Sequence, residues 1–124
     1  MSAPSESRIA VFGIGGVGEA LLELLVERSP SLRLTGVADS RGALAGDLDP
    51  RDVLEMKRMG PLPSEVAGSD LVKIGDPDVV VDVMACDPKS GEPALSLIFD
   101  AFEHGAHVVT ANKMPLARSW PEVM

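Results

Sequence analysis

Residues 8–18 read RIAVFGIGGVG, and this stretch decides the fold. Ile9, Ala10, Val11 and Phe12 form a short uninterrupted apolar run, as expected of a strand covered on both faces of a parallel sheet. The run ends directly in Gly13-Ile14-Gly15-Gly16-Val17-Gly18, which has the spacing G-x-G-x-x-G. A helical pattern follows at once in Ala20, Leu21, Leu22, Leu24, Leu25 and Val26, so the glycines fall at a strand-to-helix turn. There the unpaired N–H groups of a helix start can receive a pyrophosphate. In this reading Gly13 makes the tight turn, Gly15 lets backbone approach phosphate, and Gly18 lets the helix pack close to the strand.

Leu32–Ala38 reads as a second strand and delivers Asp39 about 20 residues beyond the last glycine, the usual place of a carboxylate that accepts ribose hydroxyls. A glycine turn alone is weak evidence and is often purely structural. Strand, glycine turn, helix, strand and acid in succession argue for a dinucleotide site. Arg41 and Lys57 are cations able to reach a 2′-phosphate, Arg41 the stronger candidate, whereas Asp39 repels one and favours the free hydroxyls of NAD. These signals oppose each other and leave NAD and NADP both open.

A chain of 124 residues is one domain with an ordinary core. Its formal charge of −8, without any cluster of Lys and Arg, argues against a nucleic-acid surface. Cys86 is the only cysteine, which rules out an intramolecular disulfide and suits a reducing cytoplasm, and no paired metal-ligand spacing occurs. Residues 1–7, MSAPSES, are neither basic nor apolar and read as a disordered lead-in, so the folded domain is expected over 8–124. No apolar run approaches the roughly 20 residues of a membrane span.

Further along, 49–60 reads as a helix with Asp49 as N-cap, Pro50 in its first position and Gly60 as its stop. Met56 and Met59 are packing residues in this reading. Leu71–Ile74, in a loop-rich stretch, is expected as a short third strand, and 78–85, DVVVDVMA, as a central parallel one. Asp82 inside that strand needs partners if buried, which favours a structural role over catalysis. Cys86 follows at the carboxyl edge of the sheet, with no evident His to activate it, and reads as a packing residue. Residues 93–104 form the next helix, with His104 suited to its C-terminal dipole; a metal shared by His104 and His107 is disfavoured. The strand His107–Thr110 then leads to Lys113 on the glycine-turn side of the sheet. From there its cation can position a cofactor or polarise a substrate carbonyl.

GIGGVG, VADSRG, the DVLEMKRMG helix, DVVVDVMA and above all HVVTANKMPLA together resemble the N-terminal nucleotide-binding domain of homoserine dehydrogenase, from about Arg8 onward. The resemblance implies a reaction interconverting aspartate semialdehyde and homoserine with NAD or NADP, in the biosynthesis of threonine, methionine and isoleucine. It implies cofactor contacts at Ile14, Gly16 and Val17, a ribose or 2′-phosphate contact near Asp39 and Arg41, a nicotinamide-side contact at Met84 and a functional Lys113. Met84 stands where the family usually has threonine, which leaves backbone contacts there. Family members continue into a substrate and dimerisation domain, so this sequence is expected to be a fragment, or a subunit whose partner supplies the rest. Ser119-Trp120-Pro121-Glu122 has the spacing of a capping box that launches a helix.

The expected architecture is a Rossmann-like three-layer α/β sandwich with a mainly parallel sheet, order 3-2-1-4-5, and right-handed crossovers. Alone, such a chain is expected to bind dinucleotide with little or no turnover, to handle an amino-acid substrate only with the missing domain, and to be able to pair with itself through an apolar edge. Two alternatives stand beside it: a non-catalytic nucleotide-sensing module, and the cofactor domain of another amino-acid or semialdehyde dehydrogenase.

Overall fold

A computed structural model describes residues 7–28, 31–85, 87 and 89–112. Its elements are β1 (Ser7–Phe12), α1 (Gly16–Arg28), β2 (Leu32–Ala38), β3 (Ala43–Leu48), α2 (Pro50–Met59), a single 3-10 turn (Gly68–Asp70), α3 (Leu71–Gly75), β4 (Val79–Asp82), α4 (Ala94–His104) and β5 (His107–Thr110). The strands form one sheet in the order β3-β2-β1-β4-β5. β1 pairs in parallel with β2 and β4, β4 in parallel with β5, and β3 runs antiparallel to β2. The first strand starts at Ser7, which pairs with Leu32, two residues before the apolar run begins at Ile9.

The doubly apolar reading of β1 follows from its two neighbours in depth. Ile9 and Val11 pack with Leu22 and Leu25 of α1 and Val53 of α2 on one face. Ala10 and Phe12 pack with Leu71 and Val72 of α3 and Leu97 and Ala101 of α4 on the other. A strand whose alternate residues both meet a helical layer has no face to spare for polar side chains. Arg8, at the amino edge, fastens β1 to the start of β4: its N–H donates to Asp78 (2.8 Å) and its guanidinium reaches Asp78 (3.1 Å) and Asp76 (2.9 Å). These hydrogen bonds from Arg8 hold the Asp78 carboxyl below the usual carboxylate range.

Two expectations are corrected. The third strand is Ala43–Leu48, whereas 71–74 lies within helix α3. Leu71 and Val72 are buried and Lys73 and Ile74 exposed, a pattern in which one helical face meets the core rather than every second residue. ALAGDL escapes notice because it has no β-branched or aromatic residue; its pairing with β2 follows from the tight 39–42 turn. The second correction is the length of β4, which stops at Asp82, so that Val83, Met84 and Ala85 are loop at the carboxyl edge. Helix α2 matches its signals closely: Asp49 caps it by accepting the Arg51 N–H (2.9 Å), and Pro50 occupies its first turn. Cys86, Lys113 and the 119–122 segment lie outside the described residues, as do 1–6.

Candidate functional site: a cleft at the carboxyl edge

Chain connections leave β1 toward β2 on one side and place β4 on the other, so a crevice opens at the carboxyl ends of these strands. The glycine turn forms its floor. The Gly13 N–H donates to the Ala38 carbonyl at 2.8 Å, tying the turn to the end of β2, and Gly13 has φ +102°. A Cβ there would come within 2.7 Å of the Val83 carbonyl, and one on Gly18 would overlap the Gly13 carbonyl. Gly15 differs, because a Cβ would meet open space. Gly15, Gly16 and Val17 are exposed where α1 begins, and Ile14 is buried while lining the crevice.

The crevice is a cleft of about 530 Å³, bounded by the glycine turn, by Asp39, Ser40 and Lys57 at the β2 end, and by Val83, Met84 and Ala85 at the β4 end. A second cavity of about 310 Å³ adjoins it, sharing Asp39, Met84 and Pro93 and walled by Phe12, Ala38, Val72 and Leu97. Sequence reasoning missed this largely apolar recess, because its walls come from β1, β2, α3 and α4 and no local signal joins them.

Asp39 closes the β2 end of the cleft. Its carboxylate side chain is 4 % exposed and turned inward. One oxygen accepts the N–H groups of Arg41 (2.8 Å) and Gly42 (2.7 Å); the other accepts the Lys57 ammonium (2.7 Å) and the Leu62 N–H (2.9 Å). Burial pushes this carboxyl up, but the Leu62 N–H, Lys57 and the two turn N–H groups outweigh it and hold it well below the usual carboxylate range. About four lone-pair positions of Asp39 are thus matched to donors of the chain itself, which organise the 39–42 turn. Of the two cations, Lys57 stands on the cleft wall, and Arg41 is exposed on the adjoining turn.

At the other end, Asp82 is fully buried. Its side chain accepts from the Met84 N–H (3.1 Å), the Thr110 hydroxyl (2.7 Å) and the Asn112 amide (2.9 and 3.0 Å). Asn112 also donates to the Met84 carbonyl at 3.0 Å. The partners that a buried Asp82 requires are therefore the Thr and Asn of the T-A-N-K segment, whose Lys113 is outside the described residues. His104 is paired with Asp76 at 2.7 Å. Among the described residues, no group of three or more His, Cys, Asp or Glu is disposed to hold a metal ion, and no helix is long and apolar enough to cross a membrane.

Comparison with known proteins agrees with this geometry. Residues 13–124 match the family model described as homoserine dehydrogenase, NAD binding domain. The homoserine dehydrogenase of Methanocaldococcus jannaschii is 30 % identical over 132 residues, spanning 94 % of this chain and 39 % of the relative. An NAD(+)-dependent homoserine dehydrogenase of Pseudomonas canavaninivorans is 29 % identical over 91 % of this chain and 37 % of its own. A hyperthermophilic archaeal homoserine dehydrogenase solved in complex with NADPH superposes with a TM-score of 0.81 at 29 % identity, covering 96 % of this chain and 40 % of that one. This chain thus spans about two fifths of the length of these three relatives, and it belongs to the homoserine dehydrogenase family as the NAD-binding domain.

Proposed function

We propose that the chain holds the nicotinamide cofactor for hydride exchange between aspartate semialdehyde and homoserine. When bound, the cofactor supplies the hydride-carrying carbon. The observation that carries this reading is the cleft itself, where Gly13 and Gly18 have no room for a Cβ and Gly15 has nothing over it, as a backbone cradle for a pyrophosphate requires. In this assignment Gly13, Ile14, Gly15, Gly16, Val17 and Gly18 hold the phosphates, Met84 flanks the nicotinamide and Lys113 acts at the substrate carbonyl. Substrate-orienting groups are supplied by the part of the protein that the relatives carry beyond this domain, so the chain by itself binds cofactor with little turnover.

The β2 end bears on the choice between NAD and NADP. An outward carboxylate would repel a 2′-phosphate, but Asp39 is occupied by four internal donors, and Lys57 counters its charge at 2.7 Å. With Arg41 exposed beside it, this rim accepts NADP at least as tightly as NAD. Calorimetric titration with both cofactors in parallel is the test. An NADP affinity equal to or above that of NAD supports the reading; a tenfold preference for NAD means that Asp39 serves the ribose after all. No heat with either at millimolar concentration overturns the cofactor site as drawn.

A further inference from the structure

Asp82 presents a puzzle of placement. It ends a central strand, paired with Phe12 of β1 on one side and Thr110 of β5 on the other, after three valines at 79–81. A fourth apolar residue would satisfy such a site without the desolvation that a carboxyl group suffers there. The donors that compensate it do not come from the helices that cover the sheet. Among the described residues, all come from the loop after β4 and from the end of β5 with the residues just beyond it: the Met84 N–H, the Thr110 hydroxyl and the Asn112 amide. Asn112 closes the arrangement by donating to the Met84 carbonyl as well.

We propose that Asp82, acting through Thr110 and Asn112, is a positioning residue that fixes the Met84 peptide and the chain leaving β5 at the nicotinamide end of the cleft. Both polar atoms of Met84 are engaged by this network, its N–H by Asp82 and its carbonyl by Asn112. Met84 and Ala85 also line the cleft, so a displaced Met84 changes its width at that end. Meanwhile Lys57, Asp39 and the 39–42 turn share no hydrogen bond with the network among the described residues, and they define the opposite end. Loss of the network should therefore be felt by one half of a dinucleotide and not by the other.

This inference rests on the dinucleotide reading above, and the test separates the two. NADH and ADP-ribose, which lacks only the nicotinamide, are titrated calorimetrically into the chain and into its Thr110→Val, Asn112→Ala and Thr110→Ser variants, with circular dichroism to verify folding. Thr110→Val keeps the shape of the side chain while removing the hydroxyl, and Thr110→Ser keeps the hydroxyl. The expected result is a loss of NADH affinity of about tenfold in Thr110→Val and Asn112→Ala, with ADP-ribose affinity unchanged within about twofold and Thr110→Ser close to the parent. Equal loss for both ligands, or no loss of either in folded variants, overturns the positioning role and leaves the cofactor site standing. A parent chain that binds NADH no more tightly than ADP-ribose also overturns it. Failure of the parent to bind either ligand overturns the dinucleotide reading itself, and this proposal with it.

Discussion

Gly15 and Gly18 stand three residues apart, yet an added methyl group meets opposite fates at the two. At Gly18 it would overlap the Gly13 carbonyl, while at Gly15 nothing lies within 4 Å. Gly18→Ala should therefore destabilise the fold by about 2 kcal/mol or more, through overpacking against rigid backbone. Gly15→Ala should leave the thermal midpoint unchanged and still weaken cofactor binding at least tenfold; thermal melts and titrations on both variants separate the two effects. Asp39 predicts a pH dependence. Its folded pKa is depressed, so the stability it contributes is present above its unfolded value near 3.9 and is lost as pH falls from there toward the lower folded value. Asp78, held down by Arg8, works in the same direction over the same acid range. Asp39→Asn, which leaves buried N–H donors short of an acceptor, should cost about 2 kcal/mol at pH 7 and flatten the acid limb of a urea-midpoint profile. A variant as acid-sensitive as the parent would show that Asp39 is not the group responsible.

Elements differ in how openly the sequence announces them. Helix α2 carries its own start and stop, and the cap can be removed without touching the cleft. Asp49→Ala should lower stability by about 1 kcal/mol in urea unfolding and leave cofactor affinity unchanged. Strands β1 and β2 were equally legible, because burial on two faces demands a β-branched or aliphatic run; β5 is half exposed and was legible from its short β-branched run after the Gly105 helix stop. Edge strand β3 was not, since Ala43 and Ala45 pair through backbone alone and Gly46 and Asp47 fall where the register shifts, which leaves no periodicity to read. The short 71–74 segment, with three apolar residues and Lys73, misled for the converse reason: four residues are too few to distinguish one buried helical face from a buried strand. In the cleft, the glycine turn was visible because its chemistry is local. The Lys57–Asp39 and Asn112–Asp82 contacts join residues 18 and 30 positions apart, and sequence pattern does not reveal such pairings before the fold is known.

Across the whole molecule, the cleft is assembled from three separate connections at the carboxyl edge, so a bound dinucleotide stabilises the native sheet and not the unfolded chain. At a free concentration one hundredfold above its Kd it should add about 2.7 kcal/mol, and a midpoint that rises with the logarithm of cofactor concentration checks this. A concentration-independent midpoint would mean that the ligand is not held by the folded sheet. The position of β1 between β2 and β4 has a further consequence in time. Arg8 finds its partner Asp78 seventy residues later, and the glycine turn finds its opposing wall only at Val83. At the usual ribosomal pace of about 5–20 residues per second, β1 waits roughly 4 to 14 seconds with one edge open. The first part of the site to be translated is thus among the last to be completed, and the cofactor can capture the finished sheet but cannot guide the nascent chain toward it.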